Sequence, residues 1–388
     1  MRVRAALAVV GTALLLASCS STIAGTPVAD PSAVPKPDVG SFPTAPRTVG
    51  SLTDSQARAA EGYRMAEIIP MPPDVDPSQR YNGSISVGKP SLGLSFGEGV
   101  GSALKDMEVG AYSSAQSTKP GVSTFDTPGT SLLMGFARMK DAAAATAAVS
   151  DPAILAAEKP QFSTSEPAKE QVAIPGYSAA KAYRMTWPST KTVSIVAVLA
   201  SDRYVLFTYT TMTADAVKKF FDLQTKALGG FTPTPVDRFS TLTKDRDDLL
   251  KYTLAGEGNR DVVLPARTAV VNQSDITGSV KNFADAGVDV VARAGNTVYR
   301  AKDAAGARLL ADAFVAELKG FYAGNTASTV KGVPGGQCLT YPPYKGSKDS
   351  RSYCVAPVGR YLVEVSGTQL EKTKQAVGAS YLVLQGAK

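Results

Sequence analysis

The side chains that carry most protein chemistry are scarce in this chain of 388 residues, which has three cysteines and no histidine. The lack of histidine excludes Ser-His-Asp and Cys-His nucleophilic mechanisms, and it excludes zinc sites built on imidazole. Cys19, Cys338 and Cys354 are therefore the residues whose chemistry the sequence can predict.

Cys19 follows a short apolar segment at the N-terminus. Arg2 and Arg4 precede an uncharged run of twelve residues, 5–16. A basic start, a short apolar run and small residues before a cut site are typical of a secretory signal. At 1.5 Å per residue the run measures about 18 Å as a helix, too short for a bilayer core of about 30 Å. The segment is thus predicted to be an export signal rather than a spanning helix.

The residues just before Cys19 make that signal more specific. Leu16-Ala17-Ser18-Cys19 resembles the bacterial lipobox, in which a cysteine thiol takes a diacylglyceryl group. The resemblance implies cleavage between Ser18 and Cys19, with the acylated cysteine as the new N-terminus. A thiolate is the nucleophile that forms such a thioether, and two or three acyl chains anchor a protein firmly to a membrane. The alternative is an ordinary signal peptide with a chance cysteine.

Cys338 and Cys354 flank a turn-rich segment of fifteen residues. Two remaining cysteines in an exported chain predict one disulfide, which on the chain-entropy model contributes about 3 kcal/mol. A redox-active pair is the alternative, but the spacing is far from that of a C-x-x-C motif.

Two motifs suggest enzymes without specifying one. Gly97, Gly99 and Gly101 follow a strand-like stretch, but Ser102 stands where a dinucleotide loop needs its third glycine, so turn glycines are favoured. Ser102 and Lys105 match the S-x-x-K motif of serine–lysine acyl-enzymes. The same spacing recurs at 178–181 and 328–331, and the partner motifs are missing.

Other candidate ligands are equally unspecific. Asp245, Asp247 and Asp248 lie among basic residues, as at a solvated helix start, and lack the glycine and glutamate of a calcium loop. The aromatic residues near Trp187 and in 341–344 are expected to pack hairpins, with a ligand groove as the alternative. The sequence therefore predicts no catalytic residue, no metal site and no cofactor.

The elements that must hold these residues begin after a predicted tether. Residues 19–50 contain six prolines and few apolar side chains, which is typical of an extended linker. Helical sequence starts near Ser51, where Thr53 and Gln56 have the spacing of a capping box.

An internal repeat organises the rest of the chain. Residues 139–143 (MKDAA) resemble 301–305 (AKDAA), 203–204 resemble 360–361, and 51–54 resemble 241–244. Three matched blocks in one order predict two related domains, 51–235 and 236–388. Asp141 and Asp303 are expected to cap equivalent helices, and Thr368 with Glu371 to form a capping box. On this alignment Cys338 and Cys354 fall opposite Lys181 and Ala197.

Short hairpin-like connections between strands favour an α+β fold in which each domain is a mostly antiparallel sheet covered by helices on one face. A parallel, doubly wound sheet is the alternative. The net charge of +7 falls to +5 without Arg2 and Arg4, and the longest basic run is a lysine pair, so nucleic acid is not a predicted partner.

This chain resembles the two-domain lipoproteins of unknown function from mycolic-acid-bearing actinobacteria. The features that carry the resemblance are the lipobox, the proline-rich linker and the second-half stretches 247–254, 264–275 and 283–311. The resemblance covers nearly the whole mature chain. It implies an envelope location and a two-domain α+β architecture, and it implies no activity. The family leads us to expect an aromatic residue or histidine in a strand near 269–272, where this chain has Val271 and Asn272.

These observations favour a non-enzymatic binding or scaffolding protein, anchored by lipid to the outer face of the plasma membrane. The alternative is a carrier or sensor of an apolar envelope ligand such as a lipid, and a serine–lysine hydrolase is the weaker third option. A large apolar pocket would favour the carrier, whereas two filled cores would weigh against it.

Overall fold

The computed structural model describes residues 35–124, 127–157, 168–187, 191–256 and 261–387. Within it, Lys36–Lys388 forms one compact unit that contains two seven-stranded sheets. The predicted signal, Ser18 and Cys19 lie outside the described residues. No helix in the described ranges combines the length and the apolar character that a bilayer crossing requires.

The first half contains seven strands and six helices among its described residues, followed by a 3-10 turn at Val236–Thr241. In chain order these are α1 (Asp54–Ala66), α2 (Pro72–Val75), β1 (Tyr81–Gly88), α3 (Leu92–Phe96), α4 (Glu98–Ala103), β2 (Val109–Gln116), β3 (Ser131–Arg138), α5 (Ala142–Ser150), β4 (Ala168–Gln171), β5 (Lys181–Thr186), β6 (Val193–Ser201), β7 (Tyr204–Thr210) and α6 (Ala214–Leu228).

The second half, over its described residues, has a matching set. The elements are β8 (Val262–Pro265), α7 (Ala266–Ala269), α8 (Ile276–Ala286), β9 (Val290–Arg293), β10 (Thr297–Arg300), α9 (Ala304–Phe321), β11 (Thr326–Thr329), β12 (Gln337–Tyr341), β13 (Arg351–Val358), β14 (Tyr361–Gly367) and α10 (Leu370–Gln385). The expected strand near 269–272 is wrong, because the chain there forms the end of α7 and a 3-10 turn, Val270–Asn272.

The two sheets share one topology. The first has the strand order β1-β2-β3-β7-β6-β5-β4, and the second has β8-β9-β10-β14-β13-β12-β11, so each strand of the first half has its counterpart seven strands later. Neighbouring strands pair antiparallel throughout both sheets. The predicted α+β class and the duplication are therefore confirmed.

Local sequence explains why the matched elements form. The β6–β7 and β13–β14 hairpins each have a two-residue turn whose first residue, Asp202 or Gly359, has a positive φ. Asp and Gly tolerate that conformation, which suits the twist of a tight hairpin. Asp141 and Asp303 cap α5 and α9 as predicted, each side chain accepting from a backbone amide three residues later.

The capping predictions at the other two helices had different outcomes. Thr53 and Gln56 form the predicted capping box of α1. The box predicted at Thr368 is wrong, because α10 begins at Leu370 and Gln369 occupies the N-cap position without a side-chain hydrogen bond.

Helices cover both faces of each sheet, which corrects the expectation of one covered face. In the first sheet, α1 and α6 pack on one face and α3, α4 and α5 on the other, with separate buried clusters. The second sheet has α10 on one face and α7, α8 and α9 on the other. Strands such as β6 are buried almost continuously, and an uninterrupted apolar run is what a strand with two covered faces requires.

The two halves meet along β1. The amide of Asn82 donates to the carbonyl of Ser274 (3.0 Å), and the amide of Ile276 donates to the carbonyl of Arg80 (2.8 Å). The Arg80 guanidinium also binds Asp275, with Nε 2.9 Å from Oδ1. These contacts join the edge of the first sheet to the turn that precedes α8, so that the two domains share one folded unit.

Part of the predicted tether is folded. Residues 36–50 lie against the second domain, where three apolar side chains pack on the cluster beneath α10: Val39, Phe42 and Val49. Arg47 pairs with Asp261 (2.9 Å) and donates to the Thr253 carbonyl oxygen (3.2 Å). The prediction that the tether extends to residue 50 is wrong. These few apolar residues are enough to fix the segment because they pack on the surface of the second domain. Residues 19–34 lie outside the described part of the chain.

Candidate functional site

An open groove in the first domain is the candidate binding site. Its volume is about 890 Å³, and it lies where α2, the ends of β5 to β7 and the first turns of α6 meet. Apolar side chains form much of its lining: Val75, Val193, Ile195, Met212, Ala214 and Ala216. Ile195 and Val75 belong to the buried cluster under α6, so the floor of the groove is continuous with the core.

Polar groups surround this apolar floor. Four hydroxyl side chains line the groove, namely Ser78, Thr130, Thr211 and Thr213. Both signs of charge are also present, from Asp76, Asp215, Arg184 and Lys219. An apolar floor with hydroxyls and separated charges suits a small amphipathic molecule, because each part of such a ligand finds a matching surface.

Neighbouring groups fix the polar side chains. Hydrogen bonds from Ser78 hold the pKa of Asp76 below its usual value, and the nearby Lys219 ammonium acts in the same direction. Asp76 is therefore a carboxylate at neutral pH. Arg184 has an exposed ion pair with Glu170 at 4.0 Å.

The Thr130 hydroxyl accepts a hydrogen bond from Gln79 Nε2 at 2.6 Å. Gln79 is fully buried, and its carbonyl oxygen Oε1 has no hydrogen-bond partner among the described residues. A buried amide that positions a hydroxyl at the groove wall makes this wall rigid, which lowers the entropy lost when a ligand binds.

The structure joins Cys338 and Cys354 in a disulfide, as predicted. The two cysteines face each other directly on β12 and β13. In the first domain the equivalent facing pair is Ala182 and Ala197, so the expected counterpart Lys181 is off by one residue. The bridge lies in the core beneath α10, away from the groove residues, and its place in the repeat indicates a structural role.

The enzyme-like motifs do not form a site in the structure. Gly97 to Gly101 form the short helix α4 and the turn before it, rather than a loop that opens a long helix. Ser102 and Lys105 are exposed, and the contact described between them is a backbone bond from the Lys105 amide to the Ser102 carbonyl. Asp245 accepts from the Leu250 amide, which makes it part of a turn. The described residues contain no group of three acidic, cysteine or histidine side chains able to hold a metal ion.

Sequence reasoning did not identify a polar cluster in the second domain. It lies on the face of the sheet covered by α9, and we call it the tyrosine–glutamate cluster: Gln273, Tyr299, Glu317, Tyr341, Tyr353 and Glu364. The Tyr299 hydroxyl donates to Glu364, and Gln273 Nε2 donates to that hydroxyl at 3.1 Å. In the equivalent strand of the first domain, β7, the position of Glu364 is occupied by Phe207, which packs on Phe96 with ring centres 4.8 Å apart. Aligning the two repeats would have revealed this buried carboxylate, because it places Glu364 at the position of a core phenylalanine.

The carboxyl groups of this cluster resist ionisation. Burial, together with the nearby carboxylates of Asp275 and Glu364, raises the pKa of Glu317 to about 8, and Arg80 acts in the opposite direction. Burial also raises the pKa of Glu364, against the lowering effect of the Tyr299 hydrogen bond. Tyr299 and Tyr353 are almost fully buried, so the cluster lies under the helices rather than in a cleft. We interpret it as a structural network that retains a proton at neutral pH.

Residues 50–244 match the N-terminal domain of unknown function DUF7373, and residues 240–387 match the C-terminal domain of the same family. The chain belongs to the DUF7373 family. The division between the two DUF7373 domains falls near residue 240, close to the predicted 235/236 boundary. No individually curated protein matches this DUF7373 chain.

Proposed function

We propose that this DUF7373 protein is a lipid-anchored envelope protein that binds a small amphipathic ligand in the groove of its first domain. The observation that carries the proposal is the groove itself, with its apolar floor of Val75 and Ile195 and its rim of hydroxyls and charges. The anchor rests on the Leu16–Cys19 sequence. The proposal assigns no reaction, and its residues act by binding.

The packing of the cores bears on the alternative, a carrier of an apolar ligand such as a lipid. An enclosed carrier needs an interior left empty by its own side chains. In the described residues, Phe96, Phe136 and Phe207 are fully buried in the two clusters of the first sheet. This packing favours a ligand that enters and leaves an open surface groove over one sealed inside a domain.

Filling the groove tests the binding proposal. Ala216→Trp places an indole on the α6 wall, and the matched control Ala227→Trp places it at the half-buried far end of the same helix. With the amphipathic anion anilinonaphthalene sulfonate as probe, wild type and Ala227→Trp should bind with equal affinity. Ala216→Trp should bind roughly tenfold or more weakly, because a bulky side chain excludes the probe from its apolar contacts. Equal binding by all three proteins would rule out the groove as the site.

The anchor is tested separately with Cys19→Ser. We expect the variant to be released from membranes or to keep its signal segment, because serine cannot form the thioether. A variant that stays membrane-bound with the mature mass of the wild type would contradict the proposed acylation.

A further inference from the structure

A second surface, at the seam between the two domains, has a composition that the groove does not explain. The turn at 119–122 of the first domain touches the β12–β13 connection of the second, where Gly121 pairs with Tyr344 in an isolated bridge. Gly121 has a φ of +81°, and a Cβ there would lie 2.2 Å from the carbonyl oxygen of Phe321 at the end of α9. Only glycine fits this position, so the contact between the two segments is part of the fold.

The two segments expose several apolar and basic side chains beside one aspartate, Asp349. We call the apolar and basic ones the basic seam patch, and they are Lys119, Val122, Tyr344, Lys345, Lys348 and Arg351. Val122 and Tyr344 are 43% and 48% exposed, and they are two of the seven large apolar side chains exposed in the described residues. The seam thus places apolar groups from both domains side by side.

No carboxylate in the described part of the chain pairs with the charges of the four basic residues of the basic seam patch. Asp349 is the one acidic residue within 344–351. Lys119 instead lies over the Phe321 ring, with Nζ 5.2 Å from the ring centre. An exposed surface with excess positive charge around a tyrosine and a valine matches an anionic bilayer, where lysines bind head groups and tyrosine occupies the interface.

The N-terminal segment enters the fold at the same end of the second domain. Asp38 binds Gln375, five residues after α10 begins at Leu370. The first residue of α10 follows closely after Gly367, the last residue of β14. Gly367 pairs with Ser352 of β13, and Ser352 is next to Arg351 of the patch in the sequence. The sixteen residue steps from Cys19 to Pro35 span at most about 58 Å when fully extended. A chain held by Cys19 therefore keeps this surface within reach of the bilayer.

We infer that the basic seam patch docks the folded unit onto an anionic membrane surface. This contact is additional to the acyl anchor and to the groove, although its position near the bilayer rests on the proposed anchoring. It would orient the domains on the membrane instead of leaving them free on a linker, because a second weak contact becomes strong once the first holds it close.

The test uses the unacylated chain from Ser20 onward, which contains the whole compact unit Lys36–Lys388. Sedimentation with vesicles at low ionic strength measures its partitioning to phosphatidylglycerol mixed with phosphatidylcholine, and to phosphatidylcholine alone. Binding to the anionic vesicles is expected, and binding to the neutral ones is not. Lys345→Ala with Lys348→Ala should lower the partition coefficient roughly thirtyfold, because each lysine near an anionic bilayer contributes a factor of about five.

Two controls separate the patch from net charge and from general apolarity. Lys140→Ala with Lys226→Ala removes the same charge from two exposed lysines of the first domain, neither of which pairs with a described carboxylate, and should leave partitioning nearly unchanged. Tyr344→Ser should weaken binding several-fold, whereas Leu94→Ser, at a 70% exposed leucine, should not. Equal losses in both lysine pairs, or no binding to anionic vesicles, would overturn the inference. Because this chain is unacylated and no groove residue is altered, such a result leaves the anchor and the groove to their own tests.

Discussion

The disulfide offers a prediction whose size follows from the fold. Cys338 and Cys354 are separated by 16 positions, so a reduced chain regains the loop-closure entropy of a short loop, about 3 kcal/mol at 25 °C. The backbone geometry does not depend on the bridge, since Ala182 and Ala197 hold the same register in the first sheet. We therefore expect reduction to leave the native fold intact and to lower its free energy of unfolding by about 3 kcal/mol.

The variant Cys338→Ala with Cys354→Ala separates the bridge from the packing of its sulfur atoms. Both cysteines are buried, so truncation also removes core contacts worth roughly 1 kcal/mol at each site. The free energy of unfolding of the double variant should thus be about 2 kcal/mol lower than that of the reduced wild type. Urea unfolding, followed by circular dichroism with and without reductant, measures all four states.

Two results would refute this reasoning. A reduced wild type within about 1 kcal/mol of the oxidised protein would show that the bridge does not constrain the unfolded chain. A double variant that still responds to reductant would place the effect elsewhere in the protein.

Three further perturbations test the seam and the buried cluster. Gly83→Ala should destabilise the chain by about 1 to 3 kcal/mol, because its Cβ would lie 1.9 Å from the Val271 carbonyl oxygen. Gly50→Ala is the control, since the space around Gly50 is open. Equal urea midpoints for the two variants would contradict the contact at Gly83. Asp275→Ala should cost about 1 to 3 kcal/mol by removing the Arg80 pair and the cap of α8, and unchanged hydrogen exchange in α8 would argue against it. The free energy of unfolding should fall as pH rises from about 4.5 to 8, since the folded state keeps a proton on Glu317 that the unfolded state loses. Glu317→Gln should flatten this dependence on pH. The same dependence in wild type and variant would exclude the raised pKa.

The duplication was predictable because its signals are local. An Asp before a helix and an Arg-Tyr pair at the end of a hairpin turn are short patterns that survive insertions, and they match α5 with α9 and β7 with β14. The α+β class followed from hairpin-length connections. The coverage of both sheet faces was missed, although the nearly continuous apolar run of β6 indicates it.

Features that depend on tertiary contact were not predictable in the same way. Residues 36–50 have the composition of a linker, and they fold because α10 and Asp261 offer partners that the segment itself does not encode. The groove is assembled from residues far apart in the chain, such as Val75, Ile195 and Ala216, none of which is distinctive by itself. Glu364 occupies a position where alternation along β14 predicts a solvent-facing residue, but α9 covers that face.

The most direct test of the account is native mass spectrometry of the protein purified from its own envelope, comparing wild type with Ala216→Trp and Ala227→Trp. We predict an acylated mature chain that begins at Cys19 and carries a small-molecule adduct in the wild type and in Ala227→Trp, with the adduct lost in Ala216→Trp. An adduct present equally in all three proteins would contradict binding in the groove, and an unmodified Cys19 would contradict the anchor.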